Sequence, residues 1–149
     1  MNILVAVDGS DESTAALERA LDVADAMGGS VTVAYAVDPS VFDFGGPESL
    51  SGLSDVDRRL IMESVEDTER RGMDVLDGAE AVAADCGRTV ETELLYGDPV
   101  HVITTFAESE GFDAIYVGHR GLSERTERLV GSVAKGIVER TSITVTVVR

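Results

Sequence analysis

The stretch Ile3-Leu4-Val5-Ala6-Val7-Asp8-Gly9-Ser10 decides the fold, because a continuous apolar run stops there at a turn. Short apolar runs ended by turn residues are typical of parallel strands that are buried on both faces. Ser10 or Asp11 then offers a side-chain oxygen to cap a helix, and apolar residues recur at helical spacing from Leu17 to Met27. A second apolar run covers residues 31–37. These residues predict a β-α-β unit.

The rest of the chain continues the alternation of strands and helices. It predicts a loop over residues 38–53, helices over 54–86, 98–111 and 132–140, and strands over 89–94, 114–117 and 143–148. Such an order gives a mostly parallel sheet with helices on both faces and right-handed crossovers. No linker or repeat divides the chain, so we interpret residues 1–149 as one α/β domain.

The third strand indicates where one edge of the sheet lies. Residues 89–94 alternate polar and apolar side chains, unlike the first two strands, and this alternation fits an edge strand with one face in water. We therefore predict a doubly wound five-stranded parallel sheet with the strand order 3-2-1-4-5. Its switch point lies between the first and fourth strands, where ligands bind outside the carboxyl ends. That geometry brings Asp8 and the loop after Val117 to one crevice.

The composition narrows the classes of partner. Twelve basic residues against twenty-eight acidic ones give a net charge of −16, and Lys135 is the sole lysine. Such a charge repels nucleic-acid phosphates and anionic lipids, so we expect neither as a partner. Scattered carboxylates with little lysine suggest a halophilic protein, since about 1 M salt shortens the Debye length to about 3 Å. Full stability at low ionic strength would contradict this hypothesis.

The cellular compartment is predicted from two further observations. Cys86 is the single cysteine, and the chain begins with an apolar strand rather than a basic segment followed by a cleavage site. No apolar stretch approaches the roughly 18 residues of a membrane span. We therefore expect a cytoplasmic protein that does not enter a membrane.

A glycine pattern follows the fourth strand. Gly118-His119-Arg120-Gly121 is followed by nine residues and then by Gly131-Ser132. Glycine lets a backbone approach a ligand closely and adopt positive φ, as amides that wrap phosphates require. Gly131-Ser132 also opens a predicted helix, whose N–H groups and dipole favour an anion. The residues thus predict a phosphate site at the switch point.

This pattern, G-x2-G-x9-G-S/T, resembles the nucleotide-binding pattern of ATP-binding universal stress proteins. The chain is also similar to that family at residues 3–10, at Gly97-Asp98-Pro99, at residues 113–118 and at Gly131-Ser132-Val133. The resemblance spans essentially the whole chain. It implies the adenine nucleotide alpha hydrolase-like fold as well as the site.

The resemblance implies an adenine nucleotide pocket at the ends of the first, second and fourth strands. The nucleoside would be lined by Ala6, Val7, Asp8, Ala36 and Val117, with Asp8 as a polar anchor. The ribose and phosphates would be surrounded by Gly118, Arg120, Gly121, Gly131, Ser132 and Val133. The implied ligand is ATP, with or without Mg²⁺.

The chain departs from the family's pattern at two positions near the phosphates. Relatives often carry a small hydroxyl residue where this chain has His119, and Ser or Thr where it has Ala134. One phosphate ligand is therefore in doubt, and the positive charge of Arg120 or Lys135 could replace it. We expect His119 to be an exposed residue beside the loop.

Three functions fit these residues. The leading interpretation is a binding module that holds ATP as a stress-response switch or sensor, with slow hydrolysis at most. The second is a slow ATPase or nucleotidyl-transfer enzyme, for which His119 is the candidate general base. The third is an interaction module without a nucleotide. No nucleophile elbow or metal-ligand cluster is present in the sequence, so we assign no catalytic or metal-binding residue.

The last strand suggests self-association. Thr144-Val145-Thr146-Val147-Val148 would be an open apolar edge in a monomer. Pairing with a second copy across a two-fold axis would cover it, and the resemblance implies the same arrangement. We therefore expect a homodimer.

Overall fold

A computed structural model describes residues 1–38, 55–121 and 130–149, with side chains from residue 64 onward in the second range. The strands are β1 (Asn2–Ala6), β2 (Ser30–Val37), β3 (Glu91–Tyr96), β4 (Ala114–Gly118) and β5 (Thr144–Val148). The helices are α1 (Asp11–Met27), α2 (Asp55–Asp85), α3 (Pro99–Ser109) and α4 (Ser132–Arg140). The loop predicted over 38–53 lies, from residue 39, outside the described residues.

The five strands form one parallel sheet in the order β3-β2-β1-β4-β5, which confirms the predicted doubly wound fold. β1 is central and pairs with β2 on one side and β4 on the other. Ala6 is the register partner of Val117 in β4 and of Ala34 in β2. The carboxyl ends of the three central strands therefore meet at one edge of the sheet.

The third strand lies two residues later than predicted, at Glu91–Tyr96 instead of 89–94. Its bounds follow its partner, because β2 pairs with it from Thr32, opposite Glu91, to Val37, opposite Tyr96. Local alternation could not reveal where that partner ends. Glu91 and Glu93 are exposed on this edge strand, as the prediction of one wet face requires.

Helix ends are fixed by the residues that the sequence indicates. Ser10 caps α1, since its hydroxyl accepts a hydrogen bond from the Ser13 backbone N–H at 3.1 Å. Asp98 caps α3 by accepting from the His101 N–H at 3.0 Å, with Pro99 at the first helical position. Both helices thus begin directly after strands, at the carboxyl edge of the sheet.

Two hydrophobic cores cover the two faces of the sheet. One joins Ile3 and Val5 of β1 to Leu17 and Leu21 of α1 and to Leu76 of α2. The other joins Leu4 and Ala6 of β1 to Ile115 of β4, Ile103 of α3 and Ile137 of α4. Alternating side chains of β1 serve both layers.

Within the described residues, no helix is both long enough and apolar enough to span a membrane.

Candidate functional site

A cavity opens at the carboxyl edge of the sheet, beside the switch point between β1 and β4. Its empty volume is about 720 Å³, including the part open to solvent. The residues lining it are Ala6, Val7, Asp8, Ser13, Tyr35, Ala36, Pro99, Ile103, Val117, Gly118, Arg120, Gly121, Gly131, Ser132, Val133 and Ala134. All eleven predicted site residues are therefore brought together around one space.

Small apolar residues form the floor of the cavity. Ala6 and Val117 are adjacent across the β1–β4 ladder, and each is 6% exposed. Ala36 lies near the end of β2, where the strand reaches the same edge. Alanines leave space where larger side chains would fill it, so this floor could receive a flat apolar group.

Two backbone hydrogen bonds hold the glycine segments together. The Gly131 N–H donates to the carbonyl oxygen of His119, and the His119 N–H donates to that of Val148 at 2.7 Å. The first bond joins the Gly118–Gly121 segment to the start of α4. The second fixes that segment to the end of β5. Residues ten or more apart in the sequence thus form one continuous rim.

Close approach explains Gly121 and Gly118. A Cβ atom built on Gly121 would overlap the carboxylate of Asp8, and one on Gly118 would lie 2.8 Å from the backbone of Glu12. Neither glycine has positive φ, and Gly131 has a φ of −62°. Of the two reasons that the sequence offers for glycine here, close approach of neighbouring atoms applies and positive φ does not.

The first turn of α4 faces the cavity. Gly131 is its N-cap and makes no side-chain capping bond, and Ser132, Val133 and Ala134 all line the cavity. The first amides of a helix have no intrahelical acceptor, and the helix dipole adds positive potential at this end. This turn is suited to receive an anionic group.

Asp8 is held by the turn that links β1 to α1. Its Oδ1 atom accepts a hydrogen bond from the Ser10 N–H at 2.9 Å. Ser13, which is 4% exposed, donates its hydroxyl to the Ser10 carbonyl at 2.9 Å and lines the cavity. The carboxylate of Asp8 is therefore positioned between the turn and Gly121.

Five lining residues were not predicted from the sequence: Ser13, Tyr35, Pro99, Ile103 and Ala134. Four of them belong to the first turns of helices that follow strands, or lie one turn further on. Tyr35 is 8% exposed, and burial raises the pKa of its hydroxyl, with the negative charge of Asp8 adding to the effect and the positive charge of Arg71 opposing it. The sequence could have indicated the four helix residues by their position, because the first turn of a helix that follows a strand lies at the carboxyl ends of the strands, where the ligand site is expected.

Arg120 lies at the cavity but is already paired. Its Nε and Nη2 atoms lie 3.1 and 3.0 Å from the same carboxylate oxygen of Glu12, in the first turn of α1. The pKa of Glu12 is lowered by a hydrogen bond with its own backbone, and by the hydrogen bond and charge of Arg120 despite desolvation. The sequence did not point to Glu12, because its partner is 108 residues away.

The structure corrects the prediction for His119. The side chain is 8% exposed rather than solvated, and its Nδ1 atom has no hydrogen-bond partner among the described residues. His119 is not among the residues that line the cavity, and neither is Lys135, which is exposed. Of the two positive charges suggested for the phosphates, only Arg120 lines the described part of the cavity.

A second cavity of about 810 Å³ lies between α1 and α2 and is lined mostly by their own side chains, including Leu17, Val75 and Val82. It lacks the glycine segments and the α4 turn. In the part of the chain that the structure describes, no three His, Cys, Asp or Glu side chains are grouped so as to hold a metal ion.

The strand order and the cavity define a doubly wound α/β protein whose open space lies where such sheets bind their ligands. The model of the universal stress protein family matches residues 1–149. The chain therefore belongs to the universal stress protein family.

Individual relatives agree with this assignment. Universal stress protein YxiE of Bacillus subtilis is 31% identical over 147 residues, which cover 99% of this chain and 97% of the relative. The structure of universal stress protein UspA from Lactobacillus plantarum has a TM-score of 0.83 and 27% identity, and the match covers 100% of this chain and 97% of that one. The fold is the adenine nucleotide alpha hydrolase-like fold.

Two further similar structures carry adenine nucleotides. A universal stress protein in complex with cAMP has a TM-score of 0.70 and 26% identity, covering 100% of this chain and 97% of that one. The universal stress protein from Archaeoglobus fulgidus in complex with dAMP has a TM-score of 0.67 and 26% identity, covering 100% and 98%.

Proposed function

We propose that this protein binds an adenine nucleotide, with ATP as the full ligand, and acts as a nucleotide-dependent switch or sensor in a stress response. The observation that carries the proposal is the hydrogen bond that joins the two glycine segments, residues 118–121 and 131–132. In this bond the Gly131 N–H donates to the His119 carbonyl oxygen. That bond puts a helix N-terminus and two close-packed glycines around one cavity. The cAMP and dAMP complexes of similar proteins support an adenine nucleotide as the ligand class.

The residues divide into two groups by chemistry. The apolar floor of Ala6, Ala36 and Val117, with Val7 beside it, would receive the adenine and ribose, and Asp8 would accept a hydrogen bond from a donor on the nucleoside. The α4 turn and the glycines would face the phosphates, with backbone N–H groups and the Ser132 hydroxyl as donors. Any Mg²⁺ would arrive with the phosphates.

Calorimetric titration tests the proposal directly. We expect AMP and ATP to bind in the presence of Mg²⁺. The protein is held in about 2–3 M KCl, which screens its charge. Absence of binding by every adenine nucleotide would leave the interaction-module interpretation in its place.

An enzymatic function has no observation in its favour. The candidate general base, His119, does not line the described part of the cavity. A general base must lie within hydrogen-bond reach of the proton that it removes. We therefore propose that this protein hydrolyses ATP slowly at most. A single-turnover assay with labelled ATP measures this, and release of phosphate within seconds would contradict the proposal.

We also propose a cytoplasmic location. Cys86 is an exposed free thiol, which fits a reducing compartment. Recovery of the protein in the secreted fraction of its own cells would contradict this.

We further propose a homodimer that pairs through β5. Among the described residues no strand pairs with the outer edge of β5, and this strand carries no charged side chain. The opposite edge strand, β3, presents Glu91 and Glu93 to solvent. Charged residues protect sheet edges from pairing, so β5 is the edge suited to a partner.

Replacing Thr146 by lysine should convert the dimer to a monomer. Thr146 is the central residue of β5, so in a two-fold antiparallel pair centred on this strand the two lysines would face each other. Sedimentation at micromolar concentration in high salt measures the change. The control is Thr92→Lys on β3, which should remain dimeric, and a monomeric unmodified protein would refute the proposal.

A further inference from the structure

The charge balance of the cavity depends on a residue outside it. Among the described lining residues, Asp8 and Arg120 are the charged side chains. Arg120 places its Nε and Nη2 atoms 3.1 and 3.0 Å from Glu12, and the two side chains are only 22% and 20% exposed. Glu12 thus neutralises the one positive side chain at the described cavity wall.

The position of Glu12 is fixed by packing. A Cβ on Gly118 would lie 2.8 to 2.9 Å from the backbone and Cβ of Glu12, so the end of β4 and the first turn of α1 are in direct contact. Ser10 caps that turn, which fixes where α1 begins. The backbone and Cβ atom of Glu12 are therefore fixed beside the end of β4, within reach of Arg120. The ion pair thus links the segment after β4 to the first turn of α1, which are already in contact at Gly118.

A phosphate and the Glu12 carboxylate are alternative acceptors for one guanidinium group. Arg binds both through the same planar N–H donors. While Glu12 holds Arg120, each added phosphate on a ligand gains little attraction from that guanidinium and meets the negative field of the acidic surface. Removing the charge of Glu12 would free Arg120 for the ligand.

We propose that Glu12 is a specificity-determining residue. By pairing with Arg120, it lowers the affinity of the site for ATP relative to its affinity for adenosine. This inference rests on the proposed adenine nucleotide site. It assigns a function to a residue that does not itself line the cavity. The quantity that reports it is the ratio of ATP affinity to adenosine affinity.

The test titrates adenosine, AMP and ATP into the unmodified protein and into Glu12→Gln at one fixed salt concentration. We expect ATP to bind about tenfold more tightly to Glu12→Gln, AMP to gain less, and adenosine to stay within about twofold, since one unit charge is unmasked near the phosphates. Asp11→Asn is the matched control, because it makes the same charge change at the adjacent, exposed position. Its ratio should not move beyond about twofold.

A variant at the other end of the pair should act in the opposite direction. Arg120→Gln leaves Glu12 unpaired and should weaken ATP binding about tenfold while adenosine binding holds. In the double variant, Glu12→Gln should strengthen ATP binding by less than it does in the unmodified protein, because no guanidinium is left to bind the phosphates and only the negative charge of Glu12 is removed.

Three results would overturn the inference. An unchanged or lower ratio in Glu12→Gln would show that Glu12 does not compete for Arg120. An equal rise in Asp11→Asn would assign the effect to the general field of the surface. Absence of binding by adenosine, AMP and ATP in all variants would instead refute the adenine site itself, and with it this inference. If Glu12→Gln failed to fold by thermal unfolding, the Arg120→Gln ratio would decide.

Discussion

Gly121→Val should lower the affinity for AMP and ATP by about 100-fold or more while the protein remains folded. The reason is steric, because even the first side-chain atom at this position overlaps the Asp8 carboxylate. To relieve that overlap, either Asp8 moves away from the nucleoside or the glycine segment moves away from the phosphates. Loss of one or two hydrogen bonds to charged groups, at about 1.5–3 kcal/mol each, is enough for a decrease in affinity of this size.

Gly78→Val provides the matched control for this variant. Gly78 lies in α2, is exposed, and a Cβ on it would meet nothing within 4 Å. The same substitution there should leave nucleotide affinity within about twofold and change stability by only the small helix-propensity difference. Calorimetry at equal salt measures both affinities, with circular dichroism to verify folding. Undiminished binding by Gly121→Val would remove the glycine segment from the nucleotide site.

Ile137→Ala should reduce the free energy of unfolding by about 2–5 kcal/mol, as large-to-small changes in a closed core do. Ile137 is 0% exposed and packs in the layer between the sheet, α3 and α4. The neighbouring Gly136 touches Val100 of α3 so closely that a Cβ there would lie 2.6 Å from it. Because α3 and α4 are already in close contact at Gly136, the two helices cannot move much closer together. The cavity left by the lost side-chain atoms of Ile137 should therefore collapse only in part.

Val138→Ala is the natural comparison, because Val138 is the next residue and is 51% exposed. It should change the unfolding free energy by less than about 0.5 kcal/mol. Thermal and urea unfolding in high salt would measure both variants. Equal losses at the two positions would mean that α4 does not pack as described, and the α4 turn at the cavity would then lose its support.

Most of the fold could be predicted because each element is signalled locally. Continuous apolar runs marked β1 and β2, caps at Ser10 and Asp98 marked where α1 and α3 begin, and polar alternation marked β3 as an edge. The two-residue error in β3 shows the limit of this reasoning. Where a strand begins and ends depends on its partner in the sheet, which its own residues do not encode.

The site was predictable to the extent that it follows from topology and glycine spacing. The strand ends and the glycine segments converge as the switch point requires, and all eleven predicted residues line the cavity. Burial of His119 and the pairing of Arg120 with Glu12 were not predictable. Both depend on contacts between the loop after β4 and a helix that begins more than a hundred residues earlier.

The unequal edges of the sheet have a consequence for stoichiometry. A sheet with two open edges could add copies without end, as a fibre does. Here one edge carries Glu91 and Glu93, and the other, β5, carries no charge. If β5 of one copy paired with β5 of a second copy across a two-fold axis, both uncharged edge strands would be covered. Only the two acidic β3 edges would then remain exposed. Such a dimer would offer no uncharged edge strand to a third chain, so raising the protein concentration would not produce larger assemblies through this contact.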